Sequence, residues 1–333
     1  MSPLSSSKNL FDVLIIGAGP IGIACALECK KKGLKYVVVE KGTLTNSIYN
    51  YPLNMTFFST SEKLELDDIP FISNNPKPTR NEALEYYRRV ATSNKLNINL
   101  YERILSVEKV ENHFNITSDK NTYKSKNIIV STGFYDIPKL LHVPGESLSK
   151  VMHYYKEAHP FVMQKVIVVG ASNSSVDAAL EIWRKGGAVT MVVRGPEIGE
   201  RVKYWVKPDI ENRIKEGSIK AYFNSEIIEI KDTEVIIKTK EDRKNLENDF
   251  VIALTGYKPD FDFLKKLGVQ FSKDGNYFPQ YNAETMETNV DGLYLAGVIC
   301  GGMETHKWFI ENSRIHSKII IESISQKINI LQN

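Results

Sequence analysis

The sequence predicts an α/β fold made of two Rossmann-like, three-layer units, and two glycine-rich turns carry this prediction. The turns span Gly17–Gly22 and Gly170–Ser175 in a chain of 333 residues. Each turn follows a run of β-branched apolar residues, which is typical of a buried parallel strand, and each leads into a helical pattern. A strand, a glycine turn and a helix in this order form the unit that holds a dinucleotide. We therefore expect two dinucleotide sites in one chain.

The first turn carries all three glycines of the pattern. Gly17 permits a tight turn, Gly19 lets the backbone approach a pyrophosphate, and Gly22 lets the helix predicted over Ile21–Lys32 pack close to the sheet. The next apolar run ends in Glu40, 18 residues beyond Gly22. A carboxylate there binds a ribose diol and repels a 2′-phosphate. The turn therefore predicts FAD or NAD, and the alternative is a glycine turn in another kind of α/β unit.

The second turn is degenerate, because serine replaces two of its glycines. Serine is small and can still form hydrogen bonds to phosphate. The following strand ends in Arg194, which lies 19 residues beyond Ser175, at the position that contacts the ribose. A guanidinium there accommodates a 2′-phosphate, and Arg201 and Lys203 add positive charge nearby. This pattern predicts NADPH. The alternative is that Arg194 is a solvated strand end and that the site takes NADH.

The segment 41–78 interrupts the alternation of helices and strands. It is rich in aromatic residues and turn formers. A long loop of this kind is usually functional, and this one is too aromatic for disorder. We predict that its Tyr, Asn and Ser side chains wrap an isoalloxazine ring. The alternative is a surface loop with a small core of its own.

The rest of the chain returns to helices and strands. Two strands end in Thr-Gly, at Thr132–Gly133 and Thr255–Gly256, where small residues let the chain pass close to a cofactor. The last predicted helix covers His306–Ser325, and its positive N-terminal end is expected to stabilise negative charge on the flavin. The other predicted elements are the helices Asn81–Ser93 and Ser175–Lys185 and the strands Ile98–Tyr101, Ile104–Val110, Phe114–Ser118, Ala188–Val193 and Gly292–Val298.

Composition excludes several classes of partner. The net charge is +3 and the pI is near 8.5. No basic block interleaved with aromatic residues indicates nucleic-acid binding. No apolar run reaches the roughly 18 residues that a membrane span needs. Three cysteines without an extracellular cue favour a reducing, cytoplasmic location. We predict no metal, nucleic-acid partner or membrane partner, and we expect a homo-oligomer.

Nucleophiles and proton donors are few. The chain has no Cys-x-x-Cys pair, so an internal dithiol relay is not predicted. Cys25 and Cys29 lie four residues apart on the first predicted helix and are expected to be buried thiols. Cys300 is either a redox participant near the flavin or a small packing residue. His153 is either a proton donor to a leaving thiolate or a structural residue. Two further proton-donor candidates are His159 and His306.

This arrangement resembles the two-domain pyridine-nucleotide flavoproteins of the thioredoxin-reductase shape, in which the NADPH domain is inserted into the FAD domain. The resemblance implies an FAD domain over residues 1–147 and 259–333 and an NADPH domain over residues 148–258. Several segments more specifically resemble the YpdA family of FAD-dependent bacillithiol disulfide reductases. These segments are Asn46–Pro52, Thr56–Ser59, Ser61–Glu65, His153–Tyr154, Lys156–Glu157, Asn173–Ala179, Met286–Val290, Phe309–Asn312 and Arg314.

The resemblance implies FAD, a preference for NADPH, and a low-molecular-weight thiol disulfide as the small-molecule substrate. Val298 supports it, because the broader flavoprotein class has Asp after the Ala-Gly of the late strand, whereas the YpdA family has Val. Ile21 departs from the family, whose well-known members have cysteine at this place in the first turn. Either that thiol is dispensable, or the acceptor is another thiol's disulfide or is not a disulfide.

The predicted site residues lie in the two turns and in the segments around them. For FAD they are Gly17, Gly19, Pro20, Gly22, Glu40, Lys41, Asn46, Ser47, Tyr51, Phe58, Ser59, Thr132, Gly133, Gly297 and Val298. For NADPH they are Gly170, Ser172, Asn173, Ser174, Ser175, Arg194, Arg201, Lys203, Thr255 and Gly256. The candidate catalytic residues are His153 and Cys300.

Three other functions remain open. A flavin-dependent monooxygenase shares the two turns, but its linker signature has Phe and Gly where Ser147 and Ser149 precede His153. A ferredoxin–NADP reductase also lacks the dithiol and reduces a one-electron protein partner. A flavin-holding redox sensor that turns nothing over is the non-enzymatic alternative.

Overall fold

The computed structural model describes residues 10–332 and divides into two compact units. The first unit contains residues 10–51, 55–137 and 257–332, and the second contains residues 52–54 and 138–256. Each unit has a sheet with a parallel core, which confirms the predicted α/β fold with two Rossmann-like units, one inserted into the other. The assignment of a cofactor to each unit, with boundaries at 147/148 and 258/259, stays a prediction.

The described strands and helices are as follows. The strands are β1 (Leu10–Ile16), β2 (Tyr36–Val39), β3 (Ile98–Asn99), β4 (Ile104–Val110), β5 (His113–Ser118), β6 (Thr122–Val130), β7 (Ile137–Pro138), β8 (Val151–Met152), β9 (Lys165–Val169), β10 (Ala188–Val192), β11 (Lys220–Tyr222), β12 (Glu226–Ile230), β13 (Glu234–Lys238), β14 (Arg243–Glu247), β15 (Phe250–Ala253), β16 (Tyr257–Lys258) and β17 (Leu293–Leu295). The helices are α1 (Pro20–Lys31), α2 (Asn46–Asn50), α3 (Ser61–Leu64), α4 (Arg80–Ser93), α5 (Asn173–Arg184), α6 (Lys207–Lys215), α7 (Phe261–Lys266), α8 (Ile310–Ser313) and α9 (Ile315–Gln332).

The sheet of the first unit has the strand order β3-β2-β1-β6-β5-β4, and β17 also pairs with β6. The strands β3, β2, β1, β6 and β17 run parallel, while β4, β5 and β6 form an antiparallel meander. The residues Val13–Ile16 of β1 form a continuous apolar run because they are buried on both faces of the sheet. Helices α1 and α9 pack together over this core through side chains such as Ile21 and Ile320.

The second unit is a five-stranded parallel sheet of order β11-β10-β9-β15-β8, covered on both faces. Successive side chains of a strand point to opposite faces. Val166 and Val168 of β9 accordingly join the core under α5 and α6. Ile167 and Val169 join a second core against the antiparallel sheet β12-β13-β14. This unit therefore has three layers.

The predicted helix over His306–Ser325 is wrong at both ends. Helical structure begins at Ile310 with the short helix α8, where the Phe309 N–H donates to Asn312 Oδ1 at 2.7 Å. Arg314 separates α8 from α9. It continues to residue 332 because no glycine or proline follows Ser325 within it. The strand predicted over Ile98–Tyr101 ends at Asn99, and Tyr101 has a left-handed φ of +56°.

Candidate active site

The first glycine turn joins β1 to α1 and leaves open space at its centre. Gly17 has φ +106°, and a Cβ there would lie 2.8 Å from the Ser131 carbonyl oxygen. A Cβ on Gly22 would lie 1.9 Å from the Gly17 carbonyl oxygen, so the fold itself requires both glycines. Gly19 has φ −72°, and a Cβ there would meet no atom of the described residues within 4 Å. Because Gly19 caps the start of α1, the open space suits a pyrophosphate beside the free N–H groups.

Glu40 follows β2 and is fixed by the backbone of the same turn. Its Oε2 accepts a hydrogen bond from the Ala18 N–H at 2.9 Å, and its Oε1 accepts one from the Gly42 N–H at 2.8 Å. Burial raises the pKa of this carboxyl, while the two backbone donors act in the opposite direction. Each carboxylate oxygen has a further lone pair. Glu40 can therefore still accept hydrogen bonds from a ribose diol.

The end of β6 approaches the same turn. Ser131 Oγ donates to the carbonyl oxygens of Ile16 and Gly17, both at 3.1 Å. Gly133 has φ +74°, and a Cβ there would lie 3.7 Å from Ser47 Oγ. The structure thus brings Ser47 and Gly133, two predicted FAD residues, close together. Thr132, which lies between Ser131 and Gly133, is half-buried.

The aromatic segment 41–78 contributes buried side chains to a small core that it shares with two helices. Its buried members pack together with side chains of α1 and α4; they are Ile48, Phe57, Leu64, Leu66 and Phe71. Lys41 Nζ lies 2.6 Å from Asp136 Oδ2, and the Tyr51 ring meets the Tyr135 ring edge to face at 4.8 Å. Phe58 is exposed beneath the Lys77 ammonium. The contacts of Asn46, Ser47, Tyr51, Phe58 and Ser59 with a flavin stay predictions.

The late strand β17 ends beside the first turn. Gly297 has φ +85°, and a Cβ there would lie 3.3 Å from Ile21 Cγ1, so Ile21 packs directly on this backbone. The Gly297 N–H donates to Nδ1 of the buried His316 at 3.1 Å. Burial lowers the pKa of His316 to about 4, which keeps the imidazole neutral with its proton on Nε2. Sequence analysis missed His316, since no sequence motif marks a helix histidine that accepts from a distant glycine.

All three cysteines are buried. Burial raises the pKa of Cys25 to about 12 and raises the pKa values of Cys29 and Cys300 as well. A thiol in this state is protonated and unreactive at neutral pH, because the thiolate is the nucleophile. Burial of Cys25 and Cys29 agrees with their predicted role as core thiols. For Cys300 the burial favours packing, and its redox role stays a prediction.

The second glycine turn joins β9 to α5 and repeats the close approach of the first. Gly170 has φ +124°, and a Cβ there would lie 2.7 Å from the Leu254 carbonyl oxygen. The buried Ser175 donates from Oγ to the Ser172 carbonyl oxygen at 2.9 Å. Ser172 and Ser174 are exposed, and their hydroxyls have no hydrogen bond among the described residues. These two hydroxyls and the start of α5 are available to a phosphate group.

Asn173 holds a loop against the start of α5. Its Nδ2 donates to the Arg201 carbonyl oxygen at 3.0 Å, and its Oδ1 accepts from the Lys203 N–H at 2.9 Å. Lys203 Nζ pairs with Asp177 Oδ2 at 2.8 Å, so a carboxylate already balances this charge. Arg201 and Arg194 are exposed, and within residues 10–332 Arg194 makes no ion pair. Of the predicted cations, Arg194 and Arg201 are thus the better placed to meet a phosphate.

A lysine that sequence analysis missed lies at the end of β15. Thr255 Oγ1 donates to the Lys139 carbonyl oxygen at 2.5 Å, and the Lys139 N–H donates to the Gly256 carbonyl oxygen at 2.9 Å. Gly256 has φ +96°. The predicted residues Thr255 and Gly256 therefore hold Lys139 at the same edge of the sheet as the second turn.

The candidate histidines lie in three different settings. His153 Nε2 lies 3.5 Å from Glu146 Oε1. The Glu146 carboxylate also accepts from the backbone N–H groups of Leu141 and His142 at 2.6 and 2.7 Å. This arrangement favours the structural role of His153, and its proton-donor role stays a prediction. His159 and His306 are exposed.

Among residues 10–332 we find no group of three or more His, Cys, Asp or Glu side chains placed to hold a metal ion. None of the helices in that range combines the length and the apolar character required to cross a bilayer.

The chain is similar to known proteins over nearly its whole length. A family model described as pyridine nucleotide-disulphide oxidoreductase matches residues 14–297. A protein of Bacillus subtilis (strain 168) named Bacilliredoxin reductase Bdr is 44% identical over 318 residues, which cover 95% of this chain and 98% of that protein.

Two solved structures share the fold closely. The one named Bacillithiol Disulfide Reductase Bdr (YpdA) from Staphylococcus aureus has a TM-score of 0.93 and 40% identity. Its counterpart from Bacillus cereus has a TM-score of 0.93 and 42% identity. Each comparison covers 96% of this chain and 99% of the other. The resemblance to the YpdA family is therefore confirmed.

The open space beside Gly19 leads to a first prediction. We expect Gly19→Ala to fold with a stability within about 1 kcal/mol of the parent, because its φ and surroundings accept a Cβ. The same methyl enters the space expected for the pyrophosphate, so FAD should bind roughly tenfold more weakly, a loss of about 1.4 kcal/mol. Apoprotein unfolding and the visible absorbance of bound flavin measure the two effects. Gly22→Ala is the contrast and should not fold, and full flavin occupancy in Gly19→Ala would contradict the assignment.

The buried neutral imidazole of His316 predicts a pH dependence of stability. Its pKa is about 4 in the fold and 6.5 as the reference value, so the unfolded chain binds more protons between these values. The free energy of unfolding is therefore highest above pH 6.5 and falls as the pH drops toward 4, by about 2 kcal/mol at pH 5. Urea unfolding at pH 7 and pH 5 measures this fall. His316→Gln should show less of it, and equal pH dependence in both proteins would disprove the role.

Proposed function

We propose that this chain, which belongs to the pyridine nucleotide-disulphide oxidoreductase family and is a flavoprotein oxidoreductase with FAD and NADPH as cofactors, reduces a low-molecular-weight disulfide of the bacillithiol type. In the overall reaction NADPH is oxidised to NADP⁺, one disulfide bond breaks, and two thiols form with uptake of one proton. The observation that carries the proposal is the near full-length similarity to proteins named for bacilliredoxin and bacillithiol disulfide.

The first unit is proposed to hold FAD. The space beside Gly19 and the start of α1 would receive the pyrophosphate, and the remaining lone pairs of Glu40 would receive the ribose diol. Ser47 and Gly133, which lie side by side, support a position near the rest of the cofactor. Bound FAD would supply hydride acceptance from the nicotinamide, which the side chains of this chain do not provide.

The second unit is proposed to hold NADPH. The hydroxyls of Ser172 and Ser174 and the start of α5 would meet the phosphates, while Arg194 would meet the 2′-phosphate. Asn173 contributes indirectly, because its side chain keeps Arg201 and the loop after it beside the helix. The absence of an ion pair on Arg194 among the described residues supports this role.

The acceptor would be reduced without a protein thiol. Ile21 fills the place of the family cysteine and packs on Gly297, and the three thiols of the chain are buried. The protein itself then provides no thiol relay, so bound FAD would supply the reducing chemistry either directly or through a thiol that the substrate brings. The same observation supports a second candidate, a one-electron protein acceptor of the ferredoxin type, because such an acceptor needs no thiol.

Arg194 predicts cofactor preference. We expect NADPH to reduce the enzyme faster than NADH, and Arg194→Asp to reverse this order, because a carboxylate repels the 2′-phosphate. Losing one charged hydrogen bond is worth about 1.5–3 kcal/mol, so NADPH affinity should fall roughly ten- to a hundredfold. Anaerobic stopped-flow reduction measures both rates. Arg243→Asp, at an exposed arginine on β14, is the control, and an NADPH preference kept by Arg194→Asp would place the phosphate contact elsewhere.

The acceptor is identified by reoxidation. We expect enzyme reduced anaerobically with NADPH to be reoxidised fastest by bacillithiol disulfide, compared with coenzyme A disulfide, glutathione disulfide, a bacilliredoxin disulfide, oxygen and ferredoxin. Fastest reoxidation by ferredoxin would establish the second candidate instead. Cys300→Ala should react at the parent rate with every acceptor, because its thiol is buried and protonated. A large loss in that variant would show that the thiol takes part.

A further inference from the structure

We propose that Lys139 binds the pyrophosphate of the nicotinamide dinucleotide in the second unit. The proposal rests on the proposed role of that unit and adds a residue that lies outside the glycine turn and the strand after it. Four observations support it: the anchored backbone of Lys139, the path of its side chain, its unpaired charge and its place in the order of strands.

The backbone of Lys139 is anchored to the end of β15. Its N–H donates to the Gly256 carbonyl oxygen at 2.9 Å, and its carbonyl oxygen accepts from Thr255 Oγ1 at 2.5 Å. The parallel strands of this sheet all have their C-terminal ends on the side that carries the second turn. A ligand of a parallel α/β sheet binds at these C-terminal ends. Lys139 therefore starts from a fixed point beside the expected ligand.

The side chain of Lys139 runs across Gly256. A Cβ on Gly256 would lie 3.8 Å from Lys139 Cδ and 4.0 Å from its Nζ. The chain of methylene groups thus lies on the glycine backbone, and the ammonium stays at the edge of the sheet. Gly256 also has φ +96°, so a larger residue here is both strained and in contact with the lysine.

The ammonium of Lys139 lacks a counter-charge. Within residues 10–332 it makes no ion pair and no side-chain hydrogen bond, although it is half-buried. Burial lowers the pKa of Lys139, and the positive charge of Arg194 lowers it further. Two like charges without an acidic partner destabilise each other, and an anion between them would remove that penalty.

The order of strands assigns the pyrophosphate to Lys139. Arg194 follows β10, the Gly170 turn follows β9, and Lys139 is anchored at β15, in the spatial order β10-β9-β15. Neighbouring strands lie about 4.8 Å apart, so Arg194 and Lys139 lie near the ends of the two strands on either side of β9, whose turn leads into α5. The pyrophosphate is expected at that helix start, whereas the 2′-phosphate is expected on the side of β10.

The test compares two dinucleotides that share the pyrophosphate and differ in the 2′-phosphate. Titration calorimetry of the FAD-loaded enzyme gives the dissociation constants of NADP⁺ and NAD⁺. We expect Lys139→Met to weaken both by the same factor, roughly ten- to a hundredfold, since each loses one charge-assisted hydrogen bond. Lys139→Arg should keep most of the affinity for both. The matched control is Lys150→Met, because Lys150 is also half-buried in this unit but contacts Asn248 instead.

Each result decides a separate claim. Unchanged binding of both dinucleotides to Lys139→Met, with a thermal unfolding curve like that of the parent, would overturn the inference alone. A loss confined to NADP⁺ would also overturn it and move Lys139 to the 2′-phosphate. If the parent enzyme bound neither dinucleotide, the proposed function of the unit and this inference would fail together. Equal losses for NADP⁺ and NAD⁺, absent in Lys150→Met, support the assignment.

Discussion

The close approach of one backbone segment to another at each glycine turn is the constraint on which the rest of the structure depends. Gly22 lies against the Gly17 carbonyl oxygen, and Gly170 lies against the Leu254 carbonyl oxygen, at distances that admit no side chain. The first contact fixes where α1 starts relative to the end of β1, and the second holds the turn after β9 against the end of β15. The free N–H groups at the start of each helix therefore lie at the C-terminal ends of the strands. Every proposed phosphate contact is made there.

The two units share the strand–turn–helix arrangement but have side chains of opposite charge at the equivalent position. At the end of the second strand, the first unit has Glu40, which is buried and held by two backbone donors, whereas the second unit has Arg194, which is exposed and unpaired among the described residues. A fixed, buried carboxylate suits a cofactor that stays bound. An exposed guanidinium suits a charged ligand that comes and goes, because little of the protein must rearrange to admit it.

The sequence predicts the elements whose signals are local. Helices α1, α4 and α5 lie within two residues of their predicted bounds, because apolar periodicity and glycine turns act over a few residues. The antiparallel sheet β12-β13-β14 and the helix α6 were missed, since their strands and turns are short and largely polar on one face. Lys139 and His316 were missed for another reason. Each acts through a distant partner, as in the hydrogen bond between Thr255 and Lys139, 116 residues apart, and no sequence pattern encodes such a contact.

Burial of Cys25, Cys29 and Cys300 limits their exchange with oxidised thiols in solution. A protein that meets oxidised thiols is exposed to exchange with them, and an accessible cysteine would be captured as an adduct. Here all three sulfhydryls are buried, and burial raises their pKa values, so oxidised small thiols meet no accessible thiolate in the folded state. The folded chain therefore offers no cysteine for capture as a mixed disulfide under the conditions in which disulfides accumulate.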